Sequence, residues 1–210
     1  SKYAIVLTSF NADGSVNNSF NGNGYLVSKP NPLFEYNPYC LLVDKEKNNV
    51  FYVGGEAYER GHTSCPMGTG KWFISKYNSS GALDLSFNNT GYRLESATLL
   101  SQSASSPQGR LRDMAFMENG SVRAVGAFHN FDKAFFDFAL KQNGTFDSTF
   151  ATNGISIYPV NYNVLHIERG TWAKFLKDTS VLFYTKSWTA DSSTYKMVKH
   201  KKNGMADTNY

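Results

Sequence analysis

The chain has 210 residues, of which 15% are aromatic and only 18% charged, below the usual quarter; that is room for one large β domain or two small ones. A net charge of +4 is too mild for a nucleic-acid surface, and much of it is Lys196, Lys199, Lys201 and Lys202 beside His200, which reads as a solvated strand edge. No run of 18 apolar residues occurs, so no membrane insertion is expected.

The chain opens on a strand, Tyr3 to Leu7, in mid-pattern, as a piece of something longer would. A motif follows, Phe10-Asn-Ala-Asp-Gly-Ser-Val-Asn-Asn-Ser-Phe-Asn-Gly-Asn-Gly-Tyr25. It returns from Tyr77 to Tyr92, from Lys141 to Ile155, and from Lys201 to Tyr210. Its first glycine is Gly14, Gly81, Gly144 and Gly204, spaced 67, 63 and 60 residues apart; six places later stand Phe20, Phe87, Phe150 and Tyr210. A period of this size marks a repeat architecture. Asp13-Gly14, Ser80-Gly81, Asn143-Gly144 and Asn203-Gly204 are turn dipeptides. Asn17, Asp84, Asp147 and Asp207 offer side-chain acceptors for a second tight turn, and the aromatic plugs the loop to the core.

Between motifs, four β-branched and aromatic runs recur in one order. They are Tyr25–Val27, Tyr39–Val43, Val50–Gly54 and Lys71–Tyr77 in the first unit. The second has Tyr92–Leu94, Leu111–Met117, Ser121–Gly126 and Ala134–Leu140; the third has Ile155–Tyr158, Thr171–Leu176, Ser180–Tyr184 and Tyr195–Lys199. Bounded by Gly, Asn and Pro, they read as strands a, b, c and d, and nothing shows a sustained helical period. The fold expected is therefore all-β: three four-stranded antiparallel propeller-blade-like repeats (about 21–86, 87–149 and 150–210) plus an extra N-terminal strand and motif loop (1–20) in a single repeat domain. A β-trefoil or β-prism is the alternative. A typical propeller has about 4–8 blades, so three units with open strand edges point to a homo-oligomer, a dimer or trimer.

The motif Asn11-Ala-Asp-Gly-Ser-Val-Asn-Asn-Ser-Phe20 resembles the delta-60 repeat, a β-propeller-like repeat of bacterial secreted and surface proteins. Four copies extend the resemblance over most of the chain, with Asn17 in place of the usual Asp and the last copy stopping at Tyr210. The resemblance implies a fold and an extracytoplasmic setting; it attaches no general activity to the motif residues.

The topology places the d–a motif loops and short b–c hairpins at one end of each sheet. The a–b and c–d connections, different in every unit, lie at the other, and irregular loops on a rigid scaffold are where binding concentrates. That face carries Tyr36, Tyr58, Arg60, His62, His129, Phe131, Asp132, Tyr162, Trp188 and Asp191 as candidate ligand contacts, a mixture of aromatic faces and polar edges suited to a sugar ring. Cys40 and Cys65 fall at the same end, where a disulfide would tie down the longest c–d loop. Each motif copy offers one carboxylate, and His62 with Cys65 falls short of a metal site, so no metal and no cofactor is expected. Nucleophile, phosphate-loop and zinc motifs are missing. Asp132, Asp137 and Asp191 could pair across the face as a glycosidase requires. The reading is a non-catalytic module, adhesin-like, at a surface or fibre tip, binding a glycan or another cell-envelope ligand. The alternatives are an assembly domain ending a longer chain, or a carbohydrate-active enzyme.

Overall fold

The β-branched and aromatic runs form strands in the computed structural model, which describes residues 3–47, 49–59, 70–96, 108–129, 134–159, 166–167, 172–188 and 193–209. In chain order these are β1 (Ile5–Thr8), β2 (Tyr25–Ser28), β3 (Phe34–Asp44), β4 (Val50–Glu59), β5 (Lys71–Tyr77), β6 (Tyr92–Ser96), β7 (Gln108–Phe116), β8 (Val122–His129), β9 (Ala134–Leu140), β10 (Ile155–Pro159), β11 (His166–Ile167), β12 (Trp172–Phe175), β13 (Val181–Trp188) and β14 (Ser193–His200). Among the described residues the one helical piece is a 3-10 turn, Phe20–Gly22, and no helix is long and apolar enough to cross a membrane.

Every strand pairing is antiparallel. Two sheets have four full strands, β3-β4-β5-β6 and β7-β8-β9-β10. In a third, β11 and β12 both pair with β13, which pairs with β14 on its other side; β1 and β2 form a two-stranded sheet. The sheets are offset by one strand from the sequence units. Strand a pairs with the d strand before it, as in Lys71↔Ser96 through Ser75↔Tyr92. The cause is local: the motif loop is a hairpin connection. Lys76 N–H donates to Gly91 C=O and Asp84 N–H to Lys76 C=O, at 2.8 and 2.9 Å. The first and third loops repeat both bonds, from Ser9 to Gly24 and Asn17 to Ser9, and from Ala139 to Gly154 and Asp147 to Ala139.

Inside each loop two side-chain-capped turns follow one another. Ser15, Ser80 and Thr145 donate backbone N–H and hydroxyl to Asp13, Asn78 and Asn143. Ser19, Ser86 and Thr149 do the same to Asn17, Asp84 and Asp147. The plugs Phe20, Phe87 and Phe150 are buried, and each sits against the turn glycine of the next loop. A Cβ built on Gly81 would lie 3.6 Å from the Phe20 ring, one on Gly144 3.3 Å from Phe87, and one on Gly204 2.6 Å from Phe150. Asn88 N–H adds a 2.8 Å bond to Asn143 C=O, so consecutive loops are tied by backbone as well.

Three apolar layers lie between successive sheets. Phe51, Phe73 and Tyr77 of the β3–β6 sheet pack with Ile5, Phe20 and Leu26. Its opposite face, with Tyr52, Trp72 and Ile74, packs on Leu111, Met114, Phe136 and Phe138 of the next sheet. That sheet's Val125 and Phe135 pack on Ala173, Val181 and Phe183. Each such side chain contributes about 1.5–3 kcal/mol by leaving water. The b strands β3, β7 and β12 pack in succession along one flank. Register places the Asp44–Val50 turn and the motif loops at one end of the sheets, and the Phe34–Glu59 and Gln108–His129 pairs at the other. Residues 60–69, 97–107, 130–133, 160–165 and 189–192 lie outside the described residues.

Asp147 ties the loop system to the neighbouring b–c hairpin. It accepts from Ser121 Oγ at 2.6 Å, Asn119 Nδ2 at 2.9 Å and Thr149 Oγ1 at 2.7 Å. The Ser121 hydroxyl above all, with Thr149, holds its carboxyl at about 2 against an ordinary 3.8. A depressed carboxylate stabilises the fold above its unfolded pKa and loses that contribution as pH falls through the folded value. Stability should therefore drop between about pH 4 and pH 2, and Ser121→Ala should shrink that acid-dependent part in denaturant titrations run across this range. Gly14 and Gly204 share a left-handed φ of 84° and 82°, but only Gly204 faces a ring. Gly14→Ala should cost about 1 kcal/mol and Gly204→Ala about 1–3 kcal/mol more, measured by chemical unfolding; equal costs would mean that the ring contact is not structural.

Candidate functional site

Two β-bulges at equivalent positions of neighbouring sheets build the most distinctive polar cluster. In β3 the register slips between Pro38 and Cys40, leaving Tyr39 unpaired; in β7 it slips between Leu111 and Asp113, leaving Arg112 unpaired. Opposite the bulges stand glycines, because the b strand presses its backbone onto them. A Cβ on Gly55 would fall 2.1 Å from Asn37 O, and one on Gly126 2.2 Å from Arg110 O. A bulge re-aims side chains, and here the two extra residues meet: the Arg112 guanidinium lies 5.4 Å from the centroid of the Tyr39 ring.

Around them lies a buried carboxylate. Glu56 on β4 accepts a hydrogen bond from Arg110 Nε on β7, from Tyr39 Oη at 3.0 Å and from Asn37 Nδ2 at 3.3 Å; Asn37 Nδ2 also donates to Tyr58 Oη at 2.8 Å. The ion pair therefore joins two sheets, Glu56 being almost fully enclosed and Arg110 largely so. Burial, reinforced by the Glu56 charge, pushes the Tyr39 phenol up to about 12. Burial and then the like charge of Arg110 pull Arg112 below its usual value. Among the described residues Arg112 makes no ion pair within 4.0 Å, the nearby Glu56 charge acts on it only at longer range, and its Nε is enclosed without a hydrogen bond. One carboxylate thus lies near two guanidiniums, beside Tyr39, a residue left 41% exposed. Glu56 stands three residues from the end of β4 and Arg110 two from the start of β7, so the cluster lies toward the end of the sheets that holds the Phe34–Glu59 and Gln108–His129 pairs.

The sequence-derived candidates separate into three groups. Tyr36 and Tyr58 are not on an exposed loop face. Both are buried, because β3 begins at Phe34 and β4 runs to Glu59, so strand replaces part of the expected loops. Tyr36 Oη accepts from Asn31 N–H at 2.9 Å, and Tyr58 belongs to the Glu56 cluster. His129 and Trp188 end β8 and β13 at the expected end of their sheets, paired in register with Gln108 and with His166. Arg60, His62, Phe131, Asp132, Tyr162 and Asp191 lie outside the described residues. So does Cys65; Cys40 forms no disulfide among the described residues, and its thiol packs near Gly54 at the bulge, pushed up to about 12 by burial.

Asp137 is removed from any acid pair on the face. It is enclosed between two sheets, where Arg123 grips both its oxygens, with Nε at 2.9 Å, and His200 Nδ1 stands 3.4 Å away. Arg123 also donates to Thr179 C=O at 2.5 Å and Lys201 C=O at 3.1 Å, its charge flanked by the Phe150 and Phe175 rings. This is a structural clamp. Among the described residues no group of three His, Cys, Asp or Glu side chains is placed to hold a metal.

Sequence reasoning missed Tyr39, Glu56, Arg110 and Arg112. The signal was present in Gly54-Gly55 and Gly126, glycines inside strand patterns, which mark a bulge or close backbone approach. Compared with known proteins, the chain matches no family model and no curated protein.

Glu56→Gln should destabilise the fold by about 3 kcal/mol, since it leaves two guanidiniums without a counter-charge. It should also lower the Tyr39 pKa from about 12 toward 10.0, read by NMR titration with Tyr39→Phe giving the assignment.

Proposed function

We propose that the chain is a non-catalytic binding module of a secreted or cell-surface protein, its sheets succeeding one another as blades of a β-propeller-like array of the delta-60 kind. It engages a glycan or another cell-envelope ligand at the end of the sheets where the connections vary. The observation that carries this is the cluster at that end of the sheets, where the Arg112 guanidinium lies on the Tyr39 ring with no ion pair among the described residues. An aromatic face beside a planar cation suits a sugar ring bearing a carboxylate, since guanidinium binds carboxylate with two parallel hydrogen bonds. The motif residues supply the scaffold, and their hydrogen bonds are already spent within the loops.

The second reading is an assembly domain that closes through other copies as a dimer or trimer, on the general ground that unpaired strand edges are templates for another chain.

A panel of neutral and carboxylated oligosaccharides with cell-envelope preparations tests the first reading. Binding is expected among the carboxylated members and should fall about 10- to 100-fold in Arg112→Met, the range for a lost charged hydrogen bond, with the melting temperature unchanged. No hit anywhere, or hits indifferent to Arg112→Met, would count against it. Trp188→Ala discriminates further: it should leave assembly intact.

A further inference from the structure

The second b–c hairpin carries a reactive pair at the point where it is tied to the motif loop. Asn119-Gly120 forms its turn, with Asn119 exposed and Gly120 at a φ of 79°. Asparagine is a thermolabile residue, most so before glycine, which has no Cβ to shield its backbone nitrogen. Five other Asn-Gly pairs occur, at Asn21, Asn23, Asn143, Asn153 and Asn203. What sets Asn119 apart is what its amide holds. Asn23, Asn143 and Asn203 use the side-chain oxygen as an acceptor from backbone N–H, a bond that a carboxylate would keep. Asp13 makes that bond in the first loop, in the place of Asn143. Asn21 donates to the uncharged Tyr25 carbonyl. Asn119 donates Nδ2 to the Asp147 carboxylate at 2.9 Å, while its Oδ1 accepts from Ser121 N–H at 3.0 Å. Turned into an acid, it would face Asp147 with like charge and no donor.

The third unit already shows how such an acid is accommodated. Asp178 occupies the hairpin position of Asn119, three residues before Val181 as Asn119 is before Val122. There the serine turns the other way: Ser180 Oγ donates to Asp178 at 2.5 Å, whereas Ser121 Oγ donates to Asp147 at 2.6 Å. The motif acid of that unit, Asp207, is held instead by Lys199 and Lys201, at 3.8 and 4.0 Å. The second unit has Ala139 in the place of Lys199, so it lacks the nearer of these lysines.

We propose that Asn119 is a site of spontaneous deamidation, and that the change releases the hairpin from the motif loop. The Gly120 nitrogen attacks Asn119 Cγ, the amide leaves as ammonia with the Gly120 proton, and a succinimide ring closes. Water, the one co-reactant, then opens the ring to aspartate or isoaspartate. Gly120 N–H donates to Met117 C=O at 2.9 Å in the closed turn, so attack runs when the hairpin opens locally. The Ser121 hydroxyl then turns to the new carboxylate as Ser180 does to Asp178, and Asp147 loses both of its bonds to the hairpin. The tie is thus lost with age, without an enzyme.

Peptide mapping by mass spectrometry of the folded 210-residue chain, aged in mildly alkaline buffer, tests the site. Asn119 should convert to aspartate and isoaspartate. An Asn119 that keeps its amide while other Asn-Gly pairs convert, or an aged chain with no conversion at all, overturns the proposal. The consequence is read in urea titrations at neutral pH. Asn119→Asp should lower the folding equilibrium constant about 10-fold, the scale of a lost hydrogen bond to a charged group, whereas Asn143→Asp should leave it unchanged. Combining Asn119→Asp with Asp147→Asn sets a donor against an acid again, and Asn17 shows that asparagine caps that turn, through Ser19. The double variant should recover the parent's midpoint; if Asn119→Asp does not fold at all, recovery of folding carries the same meaning. Asn119→Asp as stable as the parent, or a double variant no better than Asn119→Asp, overturns the released tie.

Discussion

The seating of a loop aromatic on the turn glycine of the next loop is the constraint on which the rest depends. Phe20 against Gly81, Phe87 against Gly144 and Phe150 against Gly204 fix the spacing between successive hairpins. Each loop is closed by hydrogen bonds of its own. Each turn satisfies its own backbone through an Asn or Asp side chain, and each glycine holds a φ that other residues enter at a cost. Rigid corners at a fixed spacing leave the sheets little choice but to stack, so that Trp72, Phe136 and Phe183 are buried between them.

That order has a polar counterpart between the sheets. Arg123, Asp137 and His200 cross one junction, and Glu56 with Arg110 crosses the other. The two differ in what they leave over. At the first, both carboxylate oxygens and most guanidinium donors are engaged, which suits a clamp. At the second, Glu56 pairs with Arg110 alone, and Arg112 lies on the ring of a half-open tyrosine beside that pair. Distance from the loops separates them too: the clamp shares its junction with the motif loop through Lys201, the Glu56 cluster lies near the irregular end.

The parts legible in the sequence were those whose physics is local. Asp-Gly and Asn-Gly turns, the capping acceptors at Asn17, Asp84 and Asp147, and the buried aromatics each depend on neighbours within about a dozen residues. In the sequence order strand a starts a unit, yet it closes the sheet before it, because hairpin pairing depends on register across the loop rather than on composition. Pro38 and the Gly54-Gly55 pair interrupt the runs that hold Tyr36 and Tyr58, which makes them look like loop residues in the sequence. The strands continue through those interruptions as a bulge, and the tyrosines turn inward.

The sequence by itself determined an all-β chain of repeated strands and the chemistry of every turn, since these follow from which residues accept left-handed backbone and which side chains bond their own main chain. Only the tertiary structure decided that Tyr39, Glu56, Arg110 and Arg112 form one cluster and that Asp137 is sealed from solvent. Those facts depend on which sheet lies against which, and strands separated by some sixty residues carry no local mark of the face they will share.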